Sequence, residues 1–400
     1  MDRTTDEKLV ELRRKFPGYD PAGLLDVLVS CNGSLKRSKA LLGSGEEETE
    51  VSVKRFKPQQ TLSRFMKAPH NATGTLHSSK PITLYAKSEI EASLKYCTYH
   101  TNVLPEDLAE KLLKLTLNDT HYKASEFYLF GKKCTSNHQS RIFMPTKRSD
   151  AFYYNGRKVT DYGVYSDEMM LAQILVEDIV NDALANRARL PFQVKPGEWE
   201  AQAALSNKYE RDSNLDWHSD RMTNIGPHPI IASLSLGFSR DFRVRKIYPS
   251  NSQIYSIRPQ HNSLVIMHAG FQEEYKHCVP LLPKNYRIPT EDLHPTAGAR
   301  RINITYRNYL FKDTIFCKLC GSPMDLRRMF KDPSKRGHYF YQCSRSYTEH
   351  NGFNEGKECK GFFYADFEKQ PPLTEDEDCG SFWLADDDIE ARALQNSKRQ

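Results

Sequence analysis

No apolar run in this 400-residue chain approaches the roughly 20 residues needed to cross a bilayer. The opening "MDRTTDEKLV" lacks the apolar stretch of a secretory signal. Cysteine is scarce: the nine present are too few for a disulfide scaffold, and four of them cluster at metal spacing, which points to a reducing compartment. Charge of one sign is also lacking, since 57 Lys and Arg against 51 Asp and Glu leave a net charge of only +6. A polyanionic partner must therefore be sought in the distribution of charge rather than in its sum. With 38% hydrophobic and 27% charged residues the chain reads as surface-rich and not as a membrane protein.

What is present is modular, and the length alone argues for more than one core. Residues 6–43 carry apolar residues at helical spacing and predict an α-helical three-helix module. Residues 44–79 begin with "GSGEEETE", a linker that cannot bury a core, and continue into a basic stretch. Residues 80–311 are globular, with two amphipathic helices in "LPEDLAEKLLKLTLND" and "SDEMMLAQILVEDIVNDALANR" followed by short alternating strands. That order predicts an α+β core built on a β-sandwich or jelly roll with the helices packed outside. Residues 312–368 form a compact cysteine-bearing unit, and 369–400 an acidic tail expected to be mostly solvated.

In "LDWHSDRMTNIG", His218 and Asp220 are two apart, so a strand points both to one face. Two ligands hold a metal poorly, and "SLVIMHAGFQEEYKHCVP" offers His268 and His277 for a third. Two histidines and one carboxylate on a β scaffold, with the opposite coordination face open, suit a non-haem Fe(II) oxygenase. In "RINITYR", Arg301, Asn303, Thr305 and Arg307 alternate with Ile302, Ile304 and Tyr306. The first set is either the solvated face of an edge strand or a pocket in which guanidinium groups grip a dicarboxylate.

"DWHSD", "PIIASLSLG", "SLVIM", "HCVP" and "RINITYR", with "NKY" upstream, stand in the order found in the AlkB family, which residues 120–310 resemble. The resemblance implies a double-stranded β-helix (jelly roll) dioxygenase core. It implies His218, Asp220 and His277 as iron ligands, and His268 as packing or support. Arg301, Asn207, Tyr209 and Asn303 would hold 2-oxoglutarate, with Arg307 near its other end. Bound Fe(II) and 2-oxoglutarate would activate O2, and a methyl group on a base nitrogen would be hydroxylated and lost as formaldehyde. One departure is visible: Met222 stands two residues after Asp220, where the repair enzymes commonly place an acid against the lesion-bearing base.

Cys317, Cys320, Cys343 and Cys359 offer a C-x2-C knuckle and two further thiols, a set suited to Zn(II). With "GHYFYQC" and "CKGFFYAD" the segment resembles a GRF-type zinc finger, except for His338 and Tyr364 where arginine and tryptophan are usual. Such a finger implies binding to single-stranded nucleic acid. Arg327, Arg328, Lys331, Lys335 and Arg336, interleaved with Phe330, Tyr339, Phe340 and Tyr341, are the groups to hold phosphates and stack on bases. The N-terminal module resembles a CUE-type ubiquitin-binding domain through Phe16-Pro17 and Leu41-Leu42, with Lys15 in place of methionine. Gln59, Leu62 and Phe65 have the spacing of a sliding-clamp (PIP-like) peptide.

Together these imply a nuclear repair dioxygenase for alkylated DNA, recruited by ubiquitin and the clamp. The alternatives are the same chemistry on RNA or a protein side chain, or a non-catalytic adaptor joining ubiquitin to nucleic acid.

Overall fold

The computed structural model describes residues 5–16, then Leu24, Leu28, Leu35, Ser38, Lys39 and Leu42, and then 80–129, 132–147, 152–154, 157–311, 313–345 and 359–398. The N-terminal residues form one compact unit and the described residues from 80 onward another. No helix among the described residues is long and apolar enough to cross a membrane.

In the first unit the helix Thr5–Lys15 ends on three basic residues, which suit its negative C-terminal dipole. Leu12, Leu24, Leu28 and Leu42 close a small core, with Leu9, Phe16 and Leu35 packed against it. Leu42, one of the expected ubiquitin contacts, is thus a core residue, while Phe16 is half-buried. Pro17, Leu41 and the clamp-peptide positions Gln59, Leu62 and Phe65 lie outside the described residues.

The second unit begins with β1 (Ile82–Leu84), β2 (Cys97–Thr101), β3 (Lys123–Leu129), β4 (Lys132–Met144), the hairpin of β5 (Phe152–Tyr154) with β6 (Arg157–Val159), and β7 (Gly163–Val164). It continues with β8 (Ala203–Tyr209), β9 (Leu215–His218), β10 (Ile231–Gly237), β11 (Phe242–Lys246), β12 (Tyr255–Ile257), β13 (Ser263–Met267), β14 (Tyr275–Val279) and β15 (Arg301–Arg307). The minor sheet runs β1-β12-β11-β14-β9, and the major sheet β2-β13-β10-β15-β8-β4-β3, with β7 on β4. Ile231, Val265 and Met267 of the major sheet meet Phe242, Val244 and Ile257 of the minor one in the core between them. This curled pair of sheets is consistent with a jelly roll.

Two helices cover the back of the major sheet. Glu106–Asn118 starts with two acids at its positive end and buries Leu108, Ala109, Leu112, Leu113 and Thr116, one stripe at helical spacing. In Asp167–Ala185 the Ser166 hydroxyl caps the first turn by accepting from the Met169 N–H, and Met169, Ala172, Val176, Val180 and Leu184 face inward. Against them lie Ala232, Leu234 and Leu236 of β10 and Ile302, Ile304 and Tyr306 of β15. The polar residues between them therefore point to the other face, into the space between the sheets. β15 is no edge strand: it pairs with both β10 and β8, and all seven of its residues are buried.

The cysteine unit is an antiparallel sheet of β16 (Met324–Arg328), β17 (Tyr339–Cys343), β18 (Phe362–Ala365) and β19 (Leu373–Thr374). Its core contains Tyr339 and Tyr341, both expected as possible base platforms, and also Met222 from the oxygenase core. Phe362, which sequence reasoning passed over, is 42% exposed. The tail departs from expectation: Leu384, Ala385 and Ala391 are buried, and acids around them grip the finger. Arg336 donates to both oxygens of Asp388, and Arg328 pairs with Glu274, so these two cations are buried in ion pairs rather than offered to phosphates.

Candidate active site

Register assembles the site. His218 at the end of β9 is paired with His277 of β14, which brings two imidazoles 59 positions apart in sequence to adjacent strands. Their ring centroids are 4.2 Å apart. Asp220, just past β9, places Oδ1 3.5 Å from His218 Nε2 and 3.7 Å from His277 Nε2. One donor atom from each of the three lies within 4.8 Å of the other two. His218 Nδ1 is 2.8 Å from the Asp216 carbonyl oxygen, a contact that fixes the proton on Nδ1 and leaves the Nε2 lone pair facing Asp220. His268, the other third-ligand candidate, instead sits 2.9 Å from the Thr98 hydroxyl.

Asp220 is buried, and burial opposes its ionisation. The Arg307 guanidinium, which donates to Asp220 Oδ2 at 2.7 Å, and the two histidines outweigh that and hold the carboxyl well below its usual range. Burial and then His218 push His277 down to about 3, so it is a neutral imidazole at neutral pH, as a metal ligand must be. Two nitrogen donors, an ionised oxygen donor and no thiol fit Fe(II) by the chemistry of the set.

Beside the triad opens a cavity of about 270 Å³ lined by Asn207, Tyr209, Arg301, Asn303, Thr305 and Arg307, together with the triad and Arg221. Arg301 is 2% exposed, donates to the Ser235 hydroxyl at 2.8 Å, and lies over the Tyr209 ring. Burial draws it down to about 10, still a cation, and no carboxylate among the described residues pairs with it. Arg301 Nε and Asn207 Oδ1 are buried without a hydrogen-bond partner. A buried guanidinium and polar atoms left unsatisfied around an open cavity are what a dicarboxylate would complete. Arg307 is spoken for by Asp220 and by the Tyr154 hydroxyl, to which it donates at 2.8 Å. Its position supports the Asp220 carboxylate directly.

Sequence reasoning missed the supports. Ser233 and Ser235 hold Asn303 and Arg301, and their spacing within "IIASLSLG" was the available signal. Gln272 accepts from the Asp220 N–H, and Asp325 of the finger accepts from Arg221 at 2.8 Å and from the Thr223 hydroxyl at 3.1 Å. No local motif could have shown either. Met222 is 5% exposed in the finger's core, so the position at which an acid was looked for turns away from the cavity, and Arg221 lines it instead.

Two further clusters could take a metal. The Sγ atoms of Cys317 and Cys359 are 3.5 Å apart and those of Cys320 and Cys343 3.4 Å. All four thiols fall within one coordination sphere, and a Cβ at Gly361 would collide with Cys317 Sγ, so the glycine is needed for the thiols to converge. That donor set fits zinc. Glu110, His261 and His294 also converge. There, however, His261 Nδ1 accepts from the Gly237 N–H and His294 Nδ1 from those of Thr296 and Ala297. Their neutral rings carry the proton on Nε2, toward Glu110, and have no lone pair to give there.

A family model described as the 2OG-Fe(II) oxygenase superfamily matches residues 96–307. The chain belongs to that superfamily. Ferrous iron, 2-oxoglutarate and O2 are what that superfamily is expected to use, and the matched span of this 2OG-Fe(II) oxygenase ends on Arg307. It is 34% identical over 130 residues to the rat (Rattus norvegicus) alpha-ketoglutarate-dependent dioxygenase alkB homolog 3, covering 30% of this chain and 38% of the relative. It is 26% identical over 201 residues to the DNA oxidative demethylase ALKBH2 of Arabidopsis thaliana, covering 45% of this chain and 55% of the relative. The matched parts of this oxygenase thus span between 38% and 55% of these two relatives. Among solved structures it is similar to that of OsALKBH1, at 17% identity and a TM-score of 0.36 over 53% of this chain and 98% of that one.

Proposed function

We propose that this oxygenase is an oxidative demethylase of N-alkylated bases in nucleic acid, acting on single-stranded DNA in the nucleus. The observation that carries the reading is the pairing of a triad with the open Arg301 pocket in a core whose similar relatives are named as DNA demethylase and alkB homologues. His218, Asp220 and His277 would hold Fe(II). Arg301, with Asn207, Tyr209 and Asn303, would hold 2-oxoglutarate. When bound, the metal and co-substrate supply the oxidising chemistry. The chain's own share is to orient Asp220 through Arg307 and Gln272, keep the His218 Nε2 lone pair free through the Asp216 carbonyl, and exclude water by burying the pocket wall.

Zn(II) on Cys317, Cys320, Cys343 and Cys359 would stabilise the finger. Ubiquitin at Phe16, Pro17, Leu41 and Leu42 and a sliding clamp at Gln59, Leu62 and Phe65 are the recruitment partners this reading adds. Met222 stands where an acid would meet a cationic base, and Arg221, which lines the cavity, is paired with Asp325, so the base preference is left to the test. The test is formaldehyde and succinate release from single-stranded oligonucleotides carrying 3-methylthymine, 1-methylguanine, 1-methyladenine or 3-methylcytosine. Release that depends on iron and 2-oxoglutarate is expected. Absence of release from all four would overturn the reading.

A further inference from the structure

Several strong cations of this unit are neutralised. Arg307 has Asp220, Arg221 has Asp325, Arg336 has Asp388, and Lys246 has Asp387. One group differs. On the minor sheet, Arg245 of β11 and Lys276 of β14 are cross-strand partners, next to the inward pair Val244 and His277. Alternation puts both long cations on the outer face. Neither takes part in an ion pair among the described residues. Lys331, just beyond β16, is near enough to act on Lys276 electrostatically. Like charges placed directly opposite across an antiparallel pair destabilise a sheet, and the groups that meet Arg245, the Ser250 carbonyl oxygen to which it donates and the Trp217 ring, supply no counter-charge.

An aromatic ring shares this face. Arg245 lies over the Trp217 ring at 4.8 Å. Trp217 directly precedes His218 on β9, the last strand of the minor sheet, so one residue points outward and the next toward the metal. Only the edge strand β9, whose His218 lines the cavity, separates this face from the cavity in the strand order.

We propose that Arg245, Lys276 and Lys331, with Trp217, bind the phosphodiester backbone of the single-stranded nucleic acid that the site acts on. The proposal rests on the demethylase reading and adds where the strand lies. Phosphates supply the missing counter-charge, and the ring offers a base a stacking surface.

The test uses the full chain and a fluorescein-labelled single-stranded oligothymidylate, with anisotropy measured across a salt series. Replacing all three cations (Arg245→Gln, Lys276→Gln, Lys331→Gln) should weaken binding at least about tenfold and shallow the log–log salt slope by about 2, from roughly 0.7 per lost phosphate contact. Its thermal midpoint should stay level or rise, because repelling charges have gone, and succinate formation without nucleic acid should be unchanged. Lys111→Gln, on the helix behind the major sheet, should bind as the parent does. Wild-type affinity and slope in the triple variant, or a fall in its midpoint that accounts for lost binding, overturns the proposal. If the parent demethylates methylated oligonucleotides and the triple variant binds them equally well, only this face is wrong. If the parent neither binds nor demethylates them, the demethylase reading fails with it.

Discussion

The two metal-capable clusters are built in opposite ways. The four thiols of the finger converge through a knuckle, a sheet and a glycine within one small unit, and they contact chiefly one another. The His-Asp-His triad is held from outside. Asp216 sets one tautomer, Arg307 and Gln272 fix the carboxylate, and serines on β10 hold the pocket groups. The first cluster is thiols facing thiols, whereas the second is braced by the groups around it. The two meet at one seam, where residues 221–223 leave the triad and enter the finger.

The largest expected effect tests the preorganised side. Asp220→Ala or Arg301→Ala should cut iron-dependent succinate formation at least about 100-fold, as loss of a ligand or of its anchor does. Arg307→Ala should also cost about 3–5 kcal/mol of stability in a denaturant titration, because it strands the buried Asp220 charge. A fully stable and active Arg307→Ala protein would show that Asp220 needs no external support.

Next comes the seam. Cys317→Ser should lower the thermal midpoint, as loss of a structural metal ligand does. It should also weaken Mn(II) binding at the triad about tenfold, measured by titration calorimetry, because Met222 and Thr223 are anchored in the finger. Unchanged Mn(II) affinity would make the clusters independent. Asp325→Asn probes the same seam more gently. A loss of about 1–3 kcal/mol is expected from weakening its bonds with Arg221 and Thr223. Mn(II) affinity should change less than in Cys317→Ser, since Gln272 still holds the Asp220 backbone.

The smallest effect lies away from both clusters. Burial first, then Arg187, lowers His268 from 6.5 to about 3. The unfolded chain takes up this proton near pH 6.5 and the folded protein does not until far lower. The fold therefore loses stability as pH falls through that window, by up to about 1.4 kcal/mol per unit for one such group. His268→Gln should flatten the stability profile between pH 6 and pH 4 by roughly that slope. An unaltered profile would show that His268 titrates normally.

Much of this was legible in the chain because it rests on local chemistry. The C-x2-C knuckle, the H-x-D pair and the two-residue alternation of "RINITYR" each depend on spacing along a few residues, as do the stripes of both helices. Whether that alternating face was solvated or a pocket wall depended on neighbours distant in sequence, and pairing with β8 and β10 buried it. The choice of His277 over His268 was likewise a matter of register, since one falls opposite His218 and the other beside Thr98.

Charge was the hardest feature to read. The run of Arg and Lys in the finger looked like a phosphate surface, yet acids more than 50 positions away neutralise Arg328 and Arg336. Arg245 and Lys276 carried no signal of their own. Sequence by itself determined which side chains could ligate a metal and which faces were apolar, because covalent spacing and strand or helix period settle those. Only the tertiary structure decided which cations keep an open charge, because neutralisation depends on which distant carboxylate the packing brings within reach.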